Sequence, residues 1–146
     1  GITGTGRKYG FSGIEQGPII DAVNTLGGRP IFIPRISFAD NRTRHRGISH
    51  HSVTVLKEIA KTQATVVIPL MEEKKMDYVQ NQITKNGLDK KHRIIYINEI
   101  EKLLENLSHF DLRLSTMGRG INDDLEFFLA AGAAGYHGSN IVEKTT

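Results

Sequence analysis

The sequence predicts an α/β fold, a three-layer Rossmann-like or flavodoxin-like sandwich on a mainly parallel sheet of four or more strands. Three observations carry that expectation. Helical and extended patterns alternate along the whole chain. The extended segments are apolar throughout instead of alternating apolar with polar, as strands covered on both faces are. Finally, 146 residues, 38% of them hydrophobic, suffice for one core, and no internal repeat or linker divides them. The chain reads as a single α/β domain over 1–146.

The elements follow in order. Residues 1–13, GITGTGRKYGFSG, hold five glycines and read as a loop. Ser12 with Glu15, or Gly17 with Pro18, opens a helix whose stripe is Ile19, Ile20, Val23 and Leu26, and Gly27 closes it. Residues 30–36 (PIFIPRI) form the first strand, and the long polar segment 37–52 is a loop. Val53, Leu56, Ile59 and Ala60 mark a helix over about 53–62, followed by a strand at 64–70. Met76, Val79 and Ile83 mark a helix ended by Asn86-Gly87, and 93–97 is the third strand. Ile100, Leu103, Leu104 and Leu107 mark the next helix, and 112–117 (LRLSTM) is the fourth strand. After Gly118-Arg119-Gly120, a last helix carries Leu125, Phe128, Leu129 and Ala133.

Composition removes several classes of function. The absence of cysteine excludes disulfide scaffolds, thiolate catalysis and thiolate zinc sites. No segment approaches the roughly 18 apolar residues of a membrane span, and no signal segment opens the chain, so a cytoplasmic location without a membrane partner is expected. Gly1 in place of methionine marks the chain as an expected piece of a longer protein. The net charge of +3 does not imply a broad nucleic-acid surface.

Ligands of open α/β sheets bind beyond the carboxyl ends of the strands, and the unusual segments of this chain leave those ends. The sharpest is 35–51, which gathers Arg35, Arg42, Arg44, Arg46, His45, His50 and His51 against one acid, Asp40. Arginine forks match phosphate or carboxylate, and the following helix start adds a favourable dipole. Gly4 and Gly6 of the opening loop, and Thr116, Gly118, Arg119 and Gly120 of the later turn, are expected to cradle the same anion with backbone and side-chain donors. His45, His50 and His51 are the candidate proton-transfer groups. Of the adjacent pair, His50 is expected to face the cleft and His51 to turn away. The histidines and Asp40 are suitable metal ligands. However, neighbours on a helix point about 100° apart, so His50 and His51 cannot both face one ion unless they lie before the helix proper, and arginines repel a cation unless a phosphate comes with it; no metal site is expected. Ser12, Ser49 and Ser115 lie near candidate loops, but none occupies a nucleophile elbow.

Taken together, GTGRKYGFSGIEQG, PRISFADNRTRHRGISHHSVTVL and STMGRGINDDLEFFLAAGAAG resemble the C-terminal half of the bacterial domain of unknown function 3866 family. The resemblance covers nearly the whole chain. Members of that family are longer, which implies a missing N-terminal part as a partner; it implies no activity.

The expected function is binding of a small anionic ligand, phosphate- or carboxylate-bearing, at the C-terminal edge of the sheet. Whether histidine acid/base chemistry makes the chain an enzyme stays open, and no cofactor is named. A non-catalytic ligand-sensing or regulatory module is the alternative. An RNA-interaction domain is disfavoured because no aromatic interleaves the Arg44–His51 patch. A homo-oligomer stays open.

Overall fold

The computed structural model describes residues 3–109 and 113–144. Its element order is α1 (Gln16–Thr25, entered through a 3-10 turn at Ser12–Glu15), β1 (Ile31–Phe32), β2 (Ile36–Ser37), β3 (Gly47–Ile48), α2 (His50–Thr54), β4 (Thr65–Pro69), α3 (Glu73–Lys85), α4 (Leu88–Lys91), β5 (Arg93–Ile97), α5 (Ile100–Ser108) and α6 (Leu125–Glu143). Strands β1, β4 and β5 form a parallel sheet in that order, and β2 and β3 pair separately as an antiparallel ribbon.

The central strand explains the apolar run that announced it. Val66 and Ile68 enter a cluster with Leu56, Met76, Val79 and Ile83, while Val67 enters another with Leu103, Leu129 and Ala133. Both faces of β4 are therefore covered by helices, and neither can carry polar side chains. Helix α6 lies against β4 and β1 and packs on α5.

The expected sandwich of four or more strands is not what the chain builds. The first predicted strand breaks at Pro34, which offers no N–H to a ladder. Its start pairs with β4 and its end, Ile36–Ser37, turns to Gly47–Ile48 within the segment expected to be a loop. The fourth predicted strand does not form either. Its Leu112 lies outside the described residues, 113–115 have no regular structure, and Thr116 pairs only with Arg119 across a tight turn. Met117 and Gly118 take φ of 49° and 78°, a left-handed pair that reverses the chain where a strand would continue. Among the described residues, the result is a three-stranded parallel sheet, a two-stranded ribbon and six α-helices.

Three local arrangements lock the ribbon and its neighbours. The Gln82 amide of α3 accepts from Ile48 N (2.8 Å) and donates to the carbonyls of Ile48 (3.0 Å) and Arg46 (3.2 Å). Gly47, at φ 66°, permits that approach: a Cβ there would lie 2.4 Å from Gln82 Oε1. Behind the ribbon, buried Asp124 accepts from Ser37 Oγ (2.9 Å) and Arg119 Nε (3.0 Å). This joins β2, the 116–119 turn and the start of α6. Past Thr54, α2 widens into a π-turn over Val55–Ile59, closed by Ala60 N donating to Val55 O at 2.9 Å. Such insertions occur often beside functional sites. Among the described residues, no helix is long and apolar enough to cross a membrane.

Candidate functional site

The opening glycine-rich segment is an ordered hairpin. Gly4 bridges Phe11, Thr5 N donates to Gly10 O (2.7 Å) and Ser12 N donates to Thr3 O (2.8 Å). The hairpin places Phe11 flat on the His51 imidazole, with ring centroids 4.3 Å apart and planes inclined by 13°. Gly4 lies against the edge of the same ring, where a Cβ would sit 3.5 Å from His51 Nε2. The opening loop and the histidine segment therefore share one wall.

That wall belongs to a pocket of about 550 Å³ lined by Gly4, Gly6, Arg35, Arg42, Arg44, His45, His50, His51 and Thr116, together with Ser115, Met117 and Phe127. Arg35 follows the end of β1 by three residues, the other arginines come from the loop before β3, and the histidines flank β3 and open α2. Four expected site residues lie outside the lining. Arg46 sits over the Phe38 ring, 5.5 Å from its centroid. Arg119 is committed to Asp124, and Gly118 and Gly120 belong to the far side of the same turn. The half of the turn that does reach the pocket is Ser115–Met117, and Met117 Sδ accepts from Arg35 Nη2 at 3.3 Å. The reading of 112–117 as a fourth strand hid this contact, because a strand would carry these side chains elsewhere.

A larger groove of about 760 Å³ lies beyond the carboxyl ends of β4 and β5, where the sheet topology alone would put a ligand. It is lined by Glu72, Glu99, Glu101 and Glu126 against Lys75 and Lys102, with Lys75 bonded to Glu126. Its charge balance does not suit an anion.

The histidines converge more closely than helix geometry suggested. His50 and His51 have ring centroids 4.1 Å apart, and His45 lies 4.9 Å from His50 and 5.2 Å from His51. The expectation that His51 turns away from the cleft is corrected: both neighbours line it. His50 is the first residue of α2, where the side chain is not yet fixed by a preceding turn, and Phe11 holds the His51 ring from behind. One nitrogen from each of His45, His50 and His51 lies within 4.8 Å of the others.

The surroundings keep these rings uncharged. Burial, with Arg42 and His50 nearby, holds His45 down to about 4. Burial and the neighbouring His50 and Arg44 hold His51 down to about 4, and burial with Arg44 and Arg42 lowers His50. His45 Nδ1 is 2.8 Å from Ser49 Oγ, but that hydroxyl is fully buried and also accepts from His51 N at 3.4 Å. It is a support for the imidazole and has no access to a substrate carbonyl.

Asp40 is occupied as well. Its carboxylate accepts from Arg42 Nε (3.0 Å) and Nη2 (2.9 Å), which hold it well below the usual carboxylate range, and Arg35 Nη2 approaches to 3.5 Å. Arg44 has no acidic partner among the described residues. Two polar atoms facing this region are buried without a hydrogen-bond partner, Arg35 Nη1 and His50 Nε2. No curated protein and no solved structure matches the sequence. The family match is nearly complete along the chain and covers hairpin, pocket loops and sheet together: over residues 1–135 the protein belongs to the DUF3866 family of proteins of unknown function.

Proposed function

We propose that this domain binds a small phosphate- or carboxylate-bearing ligand in the pocket between the opening hairpin, the Arg42–His51 segment and the 115–117 turn. One observation carries the reading: three guanidinium groups line the pocket, Asp40 supplies the one carboxylate paired with any of them among the described residues, and Arg35 Nη1 is buried there with no acceptor. A buried donor left unpaired costs roughly 1–3 kcal/mol, which an anion oxygen would recover. Arg44, free of an acidic partner among the described residues, supplies the second fork. Each uncharged imidazole keeps one N–H that can donate to an anion oxygen and one lone pair on its other ring nitrogen.

The test uses protein freed of metal with a chelator and titrated with inorganic phosphate by calorimetry. Saturable binding is expected, weakened about tenfold or more by Arg44→Ala, in line with a lost charge-assisted hydrogen bond. Binding that Arg44→Ala and Arg35→Ala both leave intact would place the anion elsewhere and refute the reading.

A further inference from the structure

We infer that His45, His50 and His51 form a three-imidazole site for a divalent transition metal of the zinc class, with its open coordination position turned toward Arg35 and Arg44. Four observations support it. The three candidate nitrogens already lie within 4.8 Å of one another. Tetrahedral zinc with bonds of about 2.0–2.1 Å needs them roughly 3.3 Å apart, a closure within reach of small side-chain rotations. His50 Nε2 is buried and has no partner, which is unusual for an imidazole unless something fills the space beside it. His45 is anchored through Nδ1 to the buried Ser49 hydroxyl, leaving its Nε2 for the ion. A hydrogen bond on the far nitrogen is the usual support of a metal-bound imidazole. Finally, Phe11 and Gly4 fix the His51 ring from the face and the edge.

The chemistry of the donor set selects the ion. Neutral imidazoles without thiolates or carboxylates suit zinc, cobalt or nickel and do not suit magnesium or calcium. Asp40 is taken by Arg42 and Arg35, so among the described residues no free carboxylate joins the three imidazoles to neutralise the ion's charge. Three neutral ligands and nearby guanidiniums thus make a site that holds its cation best when an anion occupies the fourth position. That coupling rests on the anion reading above; the metal site itself does not. It also gives the arginines a second purpose, orienting the non-bonded oxygens of a phosphate or carboxylate whose other oxygen meets the metal. The lone pairs on the three imidazoles then serve coordination in place of proton transfer.

The experiment titrates the metal-free protein with Co²⁺, following the visible d–d absorption, and with Zn²⁺ by calorimetry, first without any added anion. One equivalent of Co²⁺ should produce the intense bands of a four- or five-coordinate nitrogen site. His50→Ala and His51→Ala should each weaken binding by about a hundredfold or more, with circular dichroism confirming that the variants are folded. His45→Gln serves as the second variant at the buried position. Methylphosphonate should then shift the cobalt bands and tighten metal binding by about tenfold, and Arg44→Ala should remove that tightening while leaving cobalt binding without anion in place. Failure to bind Co²⁺ or Zn²⁺, or binding unaffected by folded His50→Ala and His51→Ala, would overturn the metal site. Metal binding that is normal but indifferent to methylphosphonate would overturn the coupling. Phosphate binding in chelator is scored separately, so either reading can fall alone.

Discussion

Acid should loosen this fold in a window set by its histidines. In the metal-free protein, His45 is almost fully buried and held at about 4, whereas in the unfolded chain it titrates near 6.5. The sign follows from which state takes up the proton first. As pH falls below about 6.5 the unfolded chain binds a proton that the folded one refuses, so stability drops until the folded pKa is reached. At pH 5 the ratio of the two binding polynomials corresponds to about 2 kcal/mol for this one group. His51, more open to the pocket, adds less, and His92 acts in the same direction: its Nδ1 accepts from Ala64 N (3.1 Å) while Nε2 donates to Leu56 O (2.8 Å), an arrangement a protonated ring cannot make. Asp40, lowered by Arg42, contributes its loss only below the ordinary carboxylate range, so its window lies apart. Urea unfolding at pH 7 and pH 5 in chelator, for the native chain and for His45→Gln, isolates the effect. The variant loses the Ser49 contact and starts less stable, but its loss between the two pH values should be smaller by about 2 kcal/mol. Equal losses in the two proteins, to within about 0.5 kcal/mol, would show that burial does not hold His45 uncharged and would refute the reasoning.

Other outcomes follow from single contacts. Asp124→Asn should cost about 1–3 kcal/mol by urea unfolding, because the buried carboxylate that holds the half-buried Arg119 guanidinium and the Ser37 hydroxyl is replaced by a neutral amide with one acceptor oxygen. Gly47→Ala should lower the unfolding free energy by more than about 1 kcal/mol, since its φ of 66° and the nearby Gln82 both oppose a Cβ. Arg46→Ala should leave phosphate affinity in a calorimetric titration unchanged, as its side chain sits on Phe38 outside the pocket.

The parts of the fold written in local periodicity were legible in advance. The helices around Val79 and Leu103 and the strands at 65–69 and 93–97 stand where their apolar spacing put them. What failed depended on partners distant in the chain. Nothing near Ile36 says that it will pair with Ile48, and nothing in LRLSTM says that Arg119 will be drawn to Asp124 and the chain turned at Met117. At the site, residue type picked out Arg35, Arg42, Arg44 and the three histidines, which the structure gathers around one pocket, together with Arg46 and Arg119, which it places outside. The relative placement of His50 and His51 was misjudged, since the rule of helical spacing was applied to the first residue of a helix. Phe11, which fixes His51, was invisible because stacking across forty residues leaves no local trace.

The Gln82 amide has a consequence beyond holding the ribbon in place. A two-residue strand pair beside a main sheet offers bare backbone donors and acceptors along its outer margin, and such margins recruit strands from other molecules. By taking the N–H and C=O of Ile48, one side chain from α3 impersonates the missing neighbour and leaves no template for a foreign strand. The domain thus keeps its pocket-forming loop beside a strand whose outward backbone groups at Ile48 and Arg46 are satisfied by a single amide in α3.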